Sequence, residues 1–170
     1  MADDIADTTP LPNGEDTSPA IGLISQYVKD LSFENPNAPA VYQWQGAPQV
    51  DVQFNISAAT VGDNVHEVVL KVDVSSVSDE GTAFVIDLSY AGLFGVRNVE
   101  ADQLQPFFLA EAPRILFPFA RRVIADAVRD GGFAQLLLEP IDFHGLFMAQ
   151  AQQQAAAEGA GDDAAPVGTA

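Results

Sequence analysis

Hydrophobic and polar positions alternate through the first half of the chain, and the period then lengthens. Val50, Val52, Phe54 and Ile56 fall on one face of Val50–Ile56, and Asp51, Gln53 and Asn55 on the other. Such strict alternation predicts a half-buried strand. Val65–Val74 repeats it, with Val68, Leu70, Val72 and Val74 together and Lys71 and Asp73 opposite. Thr82–Tyr90 sets Phe84, Ile86, Leu88 and Tyr90 against Val85, Asp87 and Ser89. A further strand, Ile21–Glu34, is marked by β-branched and aromatic residues without a helical period. Gly62-Asp63-Asn64 and Ser78-Asp79-Glu80-Gly81 supply turn chemistry between the last three strands, which predicts an antiparallel meander. Asn35–Pro48, with three prolines and Trp44, predicts a long crossover loop after the first strand.

Beyond Gly95 the spacing is helical. Asp102 is a candidate cap for a short helix with Pro106 in its tolerated first turn. A longer helix is predicted from about Pro113 to Asp130, stopped by Gly131-Gly132, and a last one from about Asp142 into the Gln-rich tail. Strands followed by helices give an α+β class: a four-stranded antiparallel sheet with helices packed on one face. The apolar residues of the long helix, including Ile115, Phe119, Val123 and Val128, spread over roughly 220°, about twice the stripe needed to cover a sheet. That helix therefore calls for a second apolar neighbour, either the last helix or another subunit.

Composition separates the middle from the ends. Residues 1–20 hold five acidic side chains and 151–170 three, with no Lys or Arg in either and little apolar content. Both read as disordered tails flanking a single domain over 21–150. The whole chain carries −17, from 24 acidic and 7 basic residues, so −9 remains on the domain. That balance argues against nucleic acid and anionic membranes, and suits either a basic protein partner or plain solubility. Cysteine is absent, which excludes disulfides and thiol chemistry. The opening MADDIADTTP lacks the pattern of a signal peptide, and no apolar run reaches the roughly 20 residues of a span. A cytoplasmic protein without membrane insertion is expected.

No catalytic constellation emerges. His66 and His144 are isolated in sequence, no nucleotide or nucleophile motif occurs, and no carboxylate pair stands out. The expectation is no enzyme, no cofactor and no metal. Aromatics are more telling. Phe107, Phe108, Phe117, Phe119, Phe133, Phe143 and Phe147 crowd the second half, and the loop adds Tyr42 and Trp44. Most suit a core, yet a Trp-bearing loop beside a helix with Phe143, Leu146, Phe147 and Met148 could form an apolar groove. On the polar side, Asp30 and Glu34 share one face about 13 Å apart, and would join Val85 and Asp87 if strands one and four are neighbours. That patch reads as a docking surface or as an ordinary solvated face.

The runs YVKDLSFENPNAPAV (27–41), DNVHEVVLKVDV (63–74), TAFVIDLSYAGLF (82–94), PRILFPFARRVIADAVRDGGF (113–133) and LEPIDFHGLFMAQAQQQ (138–154) closely resemble the SecB family of bacterial protein-export chaperones. The resemblance is collinear from Tyr27 to Gln154. It implies a homotetramer, a dimer of dimers with helices between sheets, that binds unfolded preproteins without ATP and delivers them to the SecA motor. It places SecA on Asp30, Glu34, Val85 and Asp87, with Val85 and Asp87 standing where the family usually has Leu and Glu. Tetramer contacts fall on Ile86, Leu88 and Tyr90, the last replacing a smaller polar residue of some members, together with Phe119 and Val123 of the long helix. The client groove falls on Trp44, Val50, Val52, Phe54, Phe143 and Phe147. Two alternatives stay open: a chaperone of the same fold serving a toxin–antitoxin pair, and an α+β small-ligand binder or enzyme with an enclosed pocket.

Overall fold

The computed structural model describes residues 17–161. Four long strands, β1 (Ala20–Glu34), β2 (Gln49–Gly62), β3 (Val65–Ser78) and β4 (Gly81–Arg97), form one antiparallel sheet in the order β1-β4-β3-β2. The meander β2–β3–β4 and the crossover to β1 match the turn chemistry, but the strands outrun the predicted ends. β4 continues past Tyr90 through Ala91, Gly92 and Gly95 because β1 and β3 pair with it on both sides. Ladder hydrogen bonds there outweigh the weak strand preference of Ala and Gly.

Bulges explain why β1 shows no clean alternation. The pairing with β4 slips at Ile24 and again at Lys29. Each slip inserts one residue and reverses the parity. Phe33 and Leu31 pair with Ile86 and Leu88, Val28 with Tyr90, Leu23 with Phe94 and Ile21 with Val96, so all five face the side of the sheet that carries the core.

The crossover segment contains a 3-10 turn, Ala40–Gln43. Asn37 Nδ2 ties it to the Thr82 carbonyl at 2.8 Å, and Val41 is buried beneath it.

Three helices follow: α1 (Ala101–Pro106), α2 (Ala112–Asp130) and α3 (Phe143–Gly161). Two expectations about α1 are corrected. Glu100, not Asp102, occupies the N-cap, without a side-chain cap bond, and Pro106 ends the helix instead of opening it. The chain then passes through a π turn, Phe107–Glu111, into α2. Pro106 and Pro113 bracket this turn; neither has an N–H, and each ring crowds the carbonyl four residues back. Inserting one residue into the helical ladder accommodates both.

α2 ends as Gly131-Gly132 predicts. Gly132 has a φ of 85°, its N–H donates to the Arg129 carbonyl, and the Phe133 N–H reaches back to Val128. This is the Schellman arrangement, and it needs a residue without a Cβ at the left-handed position. α3 is capped by Asp142, whose Oδ1 accepts the Gly145 N–H at 2.9 Å. It runs past the expected boundary at 150 to Gly161. Its Ala and Gln residues are good helix formers although they bury nothing. Residues 1–16 and 162–170 of the two expected tails lie outside the described residues.

The core lies between the helices and the middle of the sheet. Val68, Leu70, Val72 and Val74 of β3 and Ile86, Leu88 and Phe94 of β4 are fully buried against Leu116, Ala120, Ile124 and Val128 of α2. Burial of such side chains contributes roughly 1.5–3 kcal/mol each.

On the opposite face, Glu67 of β3 holds the edge strand. It accepts hydrogen bonds of 2.5 Å from Lys29 Nζ and from the Tyr27 hydroxyl. The Lys29 contact, then the Tyr27 one, lowers the Glu67 pKa below its ordinary 4.5. The carboxylate is thus favoured in the folded state, and its contribution is present above the ordinary value and lost as pH falls through the folded one. Glu67→Gln is expected to cost about 1 kcal/mol at pH 7. Denaturant titrations of both proteins from pH 7 to 3 should show the difference closing below pH 4.5.

Candidate functional site

α2 packs on β3 and β4, the two inner strands, and leaves both edges of the core-side face partly open. Along the β2 edge the open margin is a groove. At one end a first pocket of about 280 Å³ is lined by Trp44, Pro48 and Val50 on one side, by Phe133 and Leu136 on the other, and by Phe84 and Ser76. Further along, Phe54, Ile56, Leu109, Leu146 and Phe147 line a second hollow of about 370 Å³ under α3. Val50, Val52, Phe54 and Ile56 link the two, because period-two alternation turns all four toward the helices.

Each proposed groove residue can be placed. Trp44 and Val50 line the first pocket, and Val50 is 43% exposed. Val52 is half-buried between the hollows. Phe54 and Phe147 line the second. Phe143 is only 2% exposed, and meets Phe54 and Phe117 edge-on at 6.1 and 5.7 Å. It supports the wall from behind instead of facing the opening. Phe84, Phe133, Leu136 and Leu109 were missed. Phe84 reads as plain core by its parity, and the stretch 133–136 has no periodic pattern to mark it.

The other edge bears a separate apolar margin. Leu23, Val28 and Leu31 of β1 are 39–44% exposed on the core-side face. Val28 pairs with Tyr90, and Tyr90 stacks in parallel on Phe119 of α2 at 6.5 Å. Phe119 is itself 39% exposed, and Val123 is half-buried. Ile86 and Leu88, by contrast, are fully buried within the chain. Any influence they have on an assembly is indirect, through the seating of α2 or of Leu31 and Phe33, their partners on β1.

The outward face of the sheet is polar and acidic. Asp30, Ser32 and Glu34 stand opposite Ser89, Asp87 and Val85, so Asp30, Glu34, Val85 and Asp87 do share one surface. The structure adds Asp73, directly across from Asp87, and Asp51, across from Ser75. Like charges facing each other across a ladder repel. Lys71 relieves this pair, with Nζ 3.3 Å from Asp87 and 3.7 Å from Asp73. The contact with Asp87, then the charge of Asp73, raises the Lys71 pKa. Alternation in β3 places Asp73 opposite the core, but the β3–β4 register alone brings it to the patch.

The histidines do not converge. His66 lies 4.7 Å from the Phe108 ring and 3.2 Å from the Thr60 hydroxyl, whereas His144 is exposed on α3.

Comparison with known proteins agrees with this architecture. A family model described as "Preprotein translocase subunit SecB" matches residues 14–154. The chain is 80% identical to the protein-export protein SecB of Sphingopyxis alaskensis, over 94% of this chain and 91% of that one. It is 65% identical to that of Novosphingobium aromaticivorans, over 88% and 87%. Among solved structures, a Mycobacterium tuberculosis SecB-like chaperone in complex with an antitoxin peptide superposes with a TM-score of 0.61 at 15% identity, covering 71% of this chain and 90% of that one. At that identity the likeness is one of fold.

Lys71→Ala would leave Asp73 and Asp87 uncompensated and deepen the negative potential of the outer face. Tighter binding of a Lys-rich peptide is expected, about two- to fivefold at low salt and absent at 0.5 M salt. Calorimetric titration at the two ionic strengths checks this.

Proposed function

The chain belongs to the SecB family and is a protein-export chaperone; from that premise we propose how its surfaces divide the work. The groove beside β2 holds unfolded preproteins, the acidic outer face docks SecA, and the margin beside β1 joins copies into a homotetramer, a dimer of dimers. The protein works in the cytoplasm without ATP, as one folded domain per subunit and with no catalytic step.

The observation that carries this reading is the sidedness of the sheet. The apolar groove residues of β2 face the helices and the acidic residues of β1, β3 and β4 face away, so the two surfaces lie on opposite faces with the sheet between them. An extended unfolded segment exposes alternating side chains and unpaired backbone, which suit an apolar trough along an edge strand. A cationic partner suits the other side, where Asp30, Glu34, Asp51, Asp73 and Asp87 outnumber Lys71. Because the surfaces do not overlap, a client can stay bound while the motor docks.

Self-association is supported by the uncovered row Leu23, Val28, Leu31 and Phe119. Contiguous apolar surface of this kind is unfavourable in water and is relieved by pairing with a second copy. The wide apolar arc of α2 finds no full cover among the described residues, since α3 packs mainly on the π turn. Export service is favoured over a toxin–antitoxin role by the 80% and 65% identities to export chaperones, against 15% to the antitoxin-bound neighbour.

Two outcomes are expected. Light scattering should give a mass near four times 18.0 kDa, and Phe119→Glu should lower it toward the dimer or monomer. Replacing both Asp30 and Glu34 by Lys should weaken SecA binding at least tenfold in a titration, with retention of an unfolded preprotein unchanged. Equal loss of both activities would count against separate surfaces.

A further inference from the structure

The two walls of the first pocket, beside Trp44, come from distant parts of the chain. One is the crossover segment, with Trp44 and Pro48; the other is the stretch after α2, with Phe133 and Leu136. They meet at a cluster outside the pocket. The Tyr42 hydroxyl donates to the Gly131 carbonyl at 2.8 Å, at the end of α2. Asn35 Nδ2 donates to the Tyr42 oxygen at 2.8 Å and to the same carbonyl at 3.4 Å. The Tyr42 ring lies over Gly132, where a Cβ would approach it to 3.1 Å, and meets Phe133 at 5.7 Å between centroids. Phe133 in turn packs on Phe84 of the pocket at 5.0 Å.

We propose that Tyr42 is a positioning residue whose hydroxyl latches the crossover segment to the end of α2 and thereby sets the width of the pocket and its preference for bulky side chains. The proposal rests on the groove being the client site. Tyr42 and Asn35 do not line the pocket, so they act on a client only through the walls they join.

The latch is weak by construction. Tyr42 is 51% exposed, which opens its hydrogen bonds to competition from water. Asn35 Oδ1 is buried without a partner, and that penalty offsets part of what the Nδ2 contacts contribute. The other ties of the segment, Asn37 to the Thr82 carbonyl and the Gly46 N–H to Glu80, lie on the sheet side. Opening the latch would therefore let the Trp44 wall swing from that side without releasing the loop. A pocket held by a weak tie grips a large aromatic ring when closed and yields to other shapes when open.

The test uses the full chain with Tyr42→Phe, Asn35→Ala and both changes together. Trp44 is the single tryptophan of the chain, so acrylamide quenching of its fluorescence reports on the pocket wall directly. Client preference is read from two unfolded peptides that differ at one position, Trp in one and Ala in the other. Tyr42→Phe is expected to increase quenching and to weaken the Trp peptide about three- to tenfold, the span of one net hydrogen bond, while the Ala peptide is unchanged. The double variant should match Tyr42→Phe alone, because the two residues serve one latch. Unchanged quenching, an equal loss for both peptides, or additive effects would overturn the proposal. If the unaltered protein held neither peptide, the client-site reading would fall, while the quenching series would still decide the latch.

Discussion

Strands in a sheet lie about 4.8 Å apart, and a helix with its side chains is about 10 Å across. A single long helix can therefore cover the two inner strands of a four-stranded sheet but not the outer two. α2 does this, burying β3 and β4 against Leu116, Ala120, Ile124 and Val128. The core-side residues of β1 and β2 are mostly apolar, with Gln26 and Thr60 the exceptions, yet they are left at the margins. Both candidate interaction surfaces on that side, the β2 groove and the β1 flank, follow from this mismatch of widths.

The two margins differ in what else reaches them. Over β2 come the crossover segment and α3, which raise walls around the open strand and make a trough. Over β1, among the described residues, the end of α2 reaches Phe33 and α1 reaches Ile21, while Leu23, Val28 and Leu31 between them stay exposed. A trough suits a narrow extended chain, and a flat strip suits another flat strip. The outer face follows from the same strands by parity. Outside the bulges each residue that faces the core is flanked by two that face away, so the apolar face has an outward complement, which this chain fills with Asp30, Glu34, Asp51, Asp73 and Asp87. Its cost is visible where Asp73 faces Asp87, and Lys71 is placed to relieve it.

Much of the architecture was legible in the chain. Strict alternation marks β2, β3 and the first half of β4, and Gly131-Gly132 marks the helix stop because glycine takes the left-handed φ at Gly132 without steric cost. Other features were hidden for identifiable reasons. The π turn arises from Pro106 and Pro113 acting together, whereas a reading by local rules treats each proline alone. The extent of α3 follows from propensity in a segment with no apolar pattern, which a reading weighted toward burial discards. The bulges at Ile24 and Lys29 have no local signature, since they exist only relative to the β4 register.

By itself the sequence determined which residues of β2, β3 and β4 face the core and which face out, where the α2 helix stops, and that the chain is acidic overall. These properties depend on neighbours within a few positions, on side-chain period and on composition. Five runs of residues also carried the family resemblance that the comparisons support. Tertiary structure alone decided what meets across the chain: Asp73 beside Asp87, Glu67 between Tyr27 and Lys29, Phe133 opposite Trp44, and Tyr42 on Gly131. These pairs are separated by up to 89 positions in sequence, and strand register and helix placement fix their distances. Local pattern says which way a side chain points; only the closed fold says what it finds there.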